Sequence, residues 1–172
     1  MKFAVVYSSL TGNTKKIALA IQQALPAATP LIPIQEANAE LNAYDCVFLG
    51  YWVDKGTADN AAKKVLNILN PKHIALFATL GADPNSEHGA ASITNGINLL
   101  PDKTKVVDTF ICQGAVDPKL IAQMEKMFPP GHPHALTPER RARQAEAAKH
   151  PDANDIQGAK EFAKKVLAKL EQ

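Results

Sequence analysis

The chain has 172 residues, 46% hydrophobic, 21% charged and 6% aromatic, with a formal net charge of +2. That length suits one domain with its own core, and the composition excludes a disordered or collagen-like chain. No apolar run approaches the roughly 20 residues of a membrane span, and so small a net charge gives nucleic-acid binding no support.

Lys2–Tyr7 is a short β-branched and aromatic run, which predicts a buried strand; it meets polar residues too soon for a signal peptide. Thr14–Leu25 sets Ile17, Ala18, Ile21, Ala24 and Leu25 at helical spacing and stops at Pro26. Thr29–Ile34 reads as an edge strand, because Pro30 and Pro33 each remove a ladder donor. Asp45–Gly50 is a buried strand ending in a polar loop, and Thr57–Leu69 is a helix with Ala61, Val65, Leu66 and Leu69 on its apolar face. His73–Leu80 is the next buried strand, followed by a loop and a helix over about 89–100, and Lys105–Gln113 is the last buried strand. Asp117-Pro118 opens a further helix with a cap and a first-turn proline. Thr137-Pro138-Glu139 repeats that pattern and opens a polar helix to about Lys149; an amphipathic helix over about Asp155–Leu170 closes the chain.

Apolar strands alternating with amphipathic helices imply right-handed βαβ units and a parallel sheet covered on both faces. Cys46 and Cys112 fall inside apolar strands and read as buried, reduced thiols of a cytoplasmic protein.

The net charge is unevenly placed. Residues 1–130 carry eleven Lys and no Arg against eleven acids, and residues 151–172 carry four Lys against four acids. The surplus lies in 131–150, where Arg140, Arg141, Arg143 and Lys149 face only Glu139 and Glu146. This stretch holds every arginine and three of the five histidines, and prolines bound it. Such a shift marks an element added at about 129–151 to an otherwise regular single domain, 1–172. It reads either as a solvated charged helix or as a basic docking element.

Between the first strand and first helix lies Ser8-Ser9-Leu10-Thr11-Gly12-Asn13-Thr14. A hydroxyl-rich turn at a helix N-terminus offers amides, O–H donors and about half a positive charge from the helix dipole to one anion. Every donor is neutral, so a phosphate needs no cationic side chain there. Plain helix capping is the competing reading, and it leaves three hydroxyls idle. The turn lacks the Lys of a P-loop and the three glycines of a dinucleotide fingerprint. No cysteine starts a loop, as a thiol phosphatase requires, and Asp45 precedes its strand instead of ending it.

Ser9-x-Thr11-Gly12-Asn13-Thr14 after a buried strand resembles the phosphate loop of the flavodoxin family, and the strand and helix pattern is similar through about residue 128. The resemblance implies a three-layer α/β fold with a five-stranded parallel sheet in order 2-1-3-4-5 and helices on both faces. It implies FMN at the switch point between the first and third strands, its phosphate held by Ser9, Leu10, Thr11, Gly12, Asn13 and Thr14. Tyr51, Trp52 and Val53 then lie where the ring system would stack, and Gly56 is the turn residue that responds to flavin redox state. Thr79, Leu80 and Gly81 border the ring and its pyrimidine edge. Flavodoxins commonly carry a second aromatic in that last loop. Here Gly81-Ala82-Asp83-Pro84-Asn85-Ser86 has none, which leaves one ring face open.

The function implied is an FMN-binding carrier moving electrons between a reductase donor and an acceptor enzyme, with Arg140, Arg141 and Arg143 as docking candidates. An FMN-dependent reductase of a quinone-like, nitro or tetrapyrrole substrate is the alternative, and a non-redox phosphate-ligand module the third. His88 stands as a proton donor near the flavin or as an idle loop residue, and His73 as structural. His132-x-His134 with His150 has loose spacing for a metal, with no cysteine or carboxylate to complete the ligand set.

Overall fold

Side chains alternate between the two faces of a strand, and the central strand shows how that alternation builds both halves of the core. In the computed structural model, which describes residues 1–172, the strands in chain order are β1 (Phe3–Tyr7), β2 (Leu31–Pro33), β3 (Cys46–Asp54), β4 (Thr57–Ala58), β5 (His73–Leu80) and β6 (Val106–Gln113). Along β3, Cys46 and Phe48 enter one apolar cluster, and Val47, Leu49 and Tyr51 enter the other. Five strands pair in parallel in the order β2-β1-β3-β5-β6, the order expected from the sequence, with β5 and β6 as the fourth and fifth parallel strands.

Helices α1 (Asn13–Gln23) and α6 (Ala153–Leu170) cover one face. Ile17, Ala18, Ile21, Ala159, Phe162 and Val166 pack there on Val5, Phe48, Ala75 and Phe77. The Phe162 ring meets Phe48 edge-on at 5.9 Å between centroids and stacks on Phe110 at 5.7 Å. The other face takes α2 (Asn60–Leu66) and α3 (Glu87–Ile97), where Ala62, Val65, Leu66 and Ile93 close over Val47, Leu49, Ile74, Leu76 and Ala78. No helix is long and apolar enough to cross a membrane. Both cysteines are buried and free; burial pushes the Cys46 thiol up to about 12 and the Cys112 thiol higher still.

Two boundaries beside the sheet's carboxyl edge differ from the sequence reading in a way that matters for the site. The loop expected after Gly50 is strand, because β3 continues through Tyr51, Trp52 and Val53. It then folds back on itself: Val53 pairs antiparallel with Ala58, and Asp54 with Thr57. The two turn residues, Lys55 and Gly56, both have positive φ (49° and 77°). That is the geometry in which a two-residue hairpin turn matches the twist of its strands, and Gly supplies half of it without steric cost. Thr57 and Ala58 are therefore strand, and the helix begins only after Asp59, which caps it.

The proline-bounded basic stretch 129–151 forms one helix, α5 (Pro138–Ala147), which follows α4 (Pro118–Met127), and neither helix joins a core cluster. Polar contacts hold α5 in place. Arg141 pairs with Glu125 of α4 at 2.7 Å, and the Ala115 amide donates to the His150 carbonyl at 3.0 Å. His150 Nδ1 lies 2.6 Å from Asp155 Oδ2, beside the capping box of α6. His132 and His134 pack instead on Phe128, so the three histidines hold no common centre. His150, Asp152 and Asp155 bring ligand atoms within 4.8 Å of one another, but these atoms are engaged in the cap.

The hydrogen bond to Asp155 raises the His150 pKa, and the charges of Asp155 and Asp152 add to it against a smaller opposing effect of burial. A raised folded-state value means the protonated ring stabilises the fold. That contribution is complete below the ordinary histidine pKa of about 6.5 and fades as pH rises through the raised value. Melting temperature is therefore expected to fall more steeply across this window in the wild type than in His150→Gln. Parallel curves for the two proteins would remove His150 from the pH dependence.

Candidate functional site

Adjacent strands β1 and β3 feed helices on opposite faces of the sheet, α1 on one and α2 on the other, so the chain parts at their carboxyl ends and leaves a crevice. An open cleft of about 540 Å³, mouth included, occupies that position. It gathers Ser9, Leu10, Thr11, Asn13 and Thr14 from the first turn, Trp52 and Val53 from β3, and Thr79, Leu80 and Gly81 from the end of β5. Ten of the thirteen residues singled out from the sequence thus meet in one place.

The first turn leaves several of its backbone amides without an acceptor in the fold. Helices α2 to α6 each begin with a side chain bonded to the first-turn amides: Asp59, Ser86, Asp117, Thr137 and Asp152. Helix α1 begins at Gly12 (φ 99°) with no side-chain cap. Capping of α1 by the loop hydroxyls is confined to one long bond, from the Lys15 amide to Ser9 Oγ at 3.3 Å. The Ser9 hydroxyl is turned inward, accepting from the amides of Gly12 (3.1 Å) and Lys15 (3.3 Å), and it shapes the turn. The amides of Leu10, Thr11, Asn13 and Thr14 have no acceptor within the fold. Gly12 does not line the cleft; its positive φ bends the chain so that its neighbours do.

Two side chains fix this turn to distant parts of the sheet. Asn13 Nδ2 donates to the Ala115 carbonyl at 2.9 Å, beyond the end of β6. Thr14 Oγ1 and Thr79 Oγ1 are 2.9 Å apart and buried, joining the start of α1 to the end of β5. At the root of the loop, Ser8 Oγ donates to Asp59 Oδ1 at 2.8 Å. That same oxygen accepts from the Ala61 and Ala62 amides, so one carboxylate ties the loop to the hairpin and α2; Asp59 Oδ2 is buried without a partner.

The aromatic pair expected beside the cleft is split. Trp52 lines it, half-buried. Tyr51 points to the opposite face: it is fully buried, packs against Gly96 of α3 and donates to the Ser92 carbonyl at 3.1 Å. Burial pushes its phenol far above the ordinary value. Tyr51 is thus a core residue, as its place two beyond Leu49 on a strand requires. Gly56 is not in the cleft wall either. It forms the hairpin turn, where Asn95 Nδ2 donates to its carbonyl at 2.8 Å and His88 lies alongside. His88 itself lies outside the cleft lining.

Sequence reading missed the fourth wall, Gly114, Ala115, Val116, Asp117 and Leu120, which follows β6. The signal was available: in open α/β sheets ligands sit outside the carboxyl ends of strands, and β6 has such an end too. The Leu80 and Gly81 carbonyls are occupied by the Gly114 amide and the Gln113 side chain, which locks this wall to β5. No Lys or Arg lines the cleft. Its remaining apolar surface is aliphatic, from Leu10, Val116 and Leu120, as expected from the missing second aromatic.

A doubly wound parallel sheet with a hydroxyl-rich first turn and a tryptophan at its switch point places this chain in the class of open α/β domains with a crevice at the carboxyl ends of their strands. The sequence model of the flavodoxin domain matches residues 4–164. The chain is 37% identical over 172 residues to the flavodoxin-like domain-containing protein BilS of Clostridioides difficile, covering 98% of each. It belongs to the flavodoxin family. In fold it resembles oxidised flavodoxin 2 from Bacillus cereus, with a TM-score of 0.61 at 20% identity over 98% of this chain and 99% of that one. It also resembles a Lactobacillus acidophilus flavoprotein solved in complex with FMN, with a TM-score of 0.51 at 19% identity, covering 64% of this chain and 92% of that one.

Proposed function

We propose that this protein binds FMN in the cleft and carries electrons between redox proteins in the cytoplasm. The observation that carries the reading is the start of α1: four backbone amides with no acceptor, beside the exposed Thr11 hydroxyl and with no cation, in the same cleft as Trp52. That donor set fits a phosphate monoester, which takes several neutral N–H and O–H donors at a positive helix end. The Leu10, Thr11, Asn13 and Thr14 amides would hold the phosphate, with the Thr11 hydroxyl beside them. Trp52 would stack on the ring system, and Leu10, Val116 and Leu120 would exclude water from its remaining apolar surface. The chain at Leu80 and Gly81, already fixed by β6, would border the polar edge of the ring. When bound, FMN supplies the redox chemistry, while the protein supplies binding, orientation and electrostatics.

One observation favours a second reading. The aliphatic side of the cleft is open, with Leu10 60% and Leu120 48% exposed, which leaves room for a flat acceptor against the flavin. In that case the protein is an FMN-dependent reductase of a quinone-like, nitro or tetrapyrrole substrate. A plain phosphate-ligand module has no use for Trp52 in the cleft.

The purified protein is expected to be yellow and to release one FMN per chain on denaturation. A colourless protein that takes up no added FMN would overturn both redox readings. Carrier and reductase separate by turnover: a carrier oxidises NAD(P)H slowly by itself and rapidly once a reductase is added.

A further inference from the structure

A second recess adjoins the cleft and shares Gly81 as a wall. Ala82, Met124, Leu136, Arg140 and Arg143 complete most of it. The basic segment is therefore a neighbour of the cleft, and its arginines divide into two kinds. Arg141 is engaged with Glu125 and fastens α5 to α4. Arg140 and Arg143, three residues apart and so on one side of α5, make no ion pair. Arg140 reaches only the His134 carbonyl, at 3.4 Å. Two guanidinium groups with no carboxylate at ion-pair distance, though Arg143 lies within electrostatic reach of Glu139, thus stand at the edge of a cleft that contains no cation of its own.

An apolar strip accompanies them. Leu120, Met124 and Met127 follow each other at spacings of four and three on α4, which has no buried residue. Leu120 lines the cleft, Met124 lines the recess, and Met127 is 59% exposed. Three of the six large hydrophobic side chains exposed in the molecule, Leu10, Leu120 and Met127, lie in the first turn or on this helix. Arginine and methionine beside exposed aliphatic surface is the composition of a protein-binding face, not of a solvated helix.

We propose that this face docks an acidic redox-partner protein, with a carboxylate of the partner entering the recess between Arg140 and Arg143 and its apolar surround seated on Leu120, Met124 and Met127. The proposal rests on the carrier reading. Its geometry is economical: the shared wall at Gly81 sets the docked partner beside the mouth of the flavin cleft. The face selects by charge, because a basic partner would meet two unpaired arginines.

The test is stopped-flow oxidation of the photoreduced, FMN-loaded protein by rubredoxin, an acidic protein, and by cytochrome c, a basic one. The double variant Arg140→Glu/Arg143→Glu is expected to slow rubredoxin by about tenfold or more at low ionic strength, and to flatten its salt dependence. It is expected to speed cytochrome c and to leave FMN affinity unchanged. Arg141→Glu is expected to change the rubredoxin rate much less. Normal FMN binding with an unaltered rubredoxin rate would overturn the docking face and leave the FMN reading standing. Slowing seen with ferricyanide but not with rubredoxin would replace it with a small-anion subsite. A protein that takes up no FMN would remove the carrier reading and this proposal together.

Discussion

Asp59→Ala is expected to lower the stability of the protein by about 2–3 kcal/mol and to weaken FMN retention beyond that of any single hydroxyl variant in the loop. One carboxylate oxygen there accepts from the Ser8 hydroxyl and from two amides at the start of α2. Loss of a helix cap costs about 1 kcal/mol, and stranding a buried hydroxyl costs about 1–3 kcal/mol. The larger consequence is mechanical. Ser8 precedes the turn that carries the unclaimed amides, and Asp59 follows the hairpin that carries Trp52, so their bond sets the distance between the two halves of the cleft. Asp59→Asn keeps an oxygen for the same three donors and is expected to lose less than half as much stability. Melting curves and FMN titrations on both variants check this; equal losses would show that the shared oxygen is not what holds the two halves together.

Trp52→Ala is expected to weaken FMN binding by about 10–100-fold, which is about 1.4–2.8 kcal/mol, while leaving the melting temperature of the FMN-free protein nearly unchanged. Trp52 is partly exposed and belongs to neither apolar cluster, so the fold depends on it far less than on Tyr51. A bound ring system does depend on it, because no other aromatic lines the cleft. Tyr51→Ala separates the two neighbours in the opposite sense. It removes a fully buried phenol and its bond to Ser92, and so should unfold the protein before it changes the cleft. Fluorescence titration with FMN on the tryptophan variant is decisive, and an unchanged dissociation constant would place the ring elsewhere.

The contrast between these neighbours shows what the sequence could and could not reveal. Strand β5 was legible because it is a nearly continuous apolar run, whereas β6 was legible as a strand but not as buried throughout: Asp108 and Thr109 interrupt it, and at the sheet edge only Cys112 and Gln113 are fully covered. The first turn was legible because its chemistry is local: hydroxyls and a glycine at the mouth of a helix. The end of β3 was misread because Asp54, Lys55 and Gly56 look like loop, and they do form a turn, but one that opens only after Trp52 and Val53 have passed as strand. Carrying the alternation of Val47 and Leu49 two residues further would have sent Tyr51 into the core and Trp52 to the cleft. The wall at Gly114–Leu120 and the recess under α5 were beyond such reading. They depend on contacts across the chain, such as Asn13 to Ala115 over 102 positions, which no local pattern encodes.

The bare beginning of α1 bears on how the protein is assembled in the cell. Five helices begin with a capping side chain, while at the sixth the Asn13 and Thr14 amides have no acceptor in the fold and would be completed by a bound phosphate. A ligand that binds only the folded chain raises its stability by mass action, by about 2.7 kcal/mol when its free concentration is a hundred times the dissociation constant. The supply of FMN would then govern not only how much of the protein is active but how much survives, since the empty form is the one that opens to proteases first.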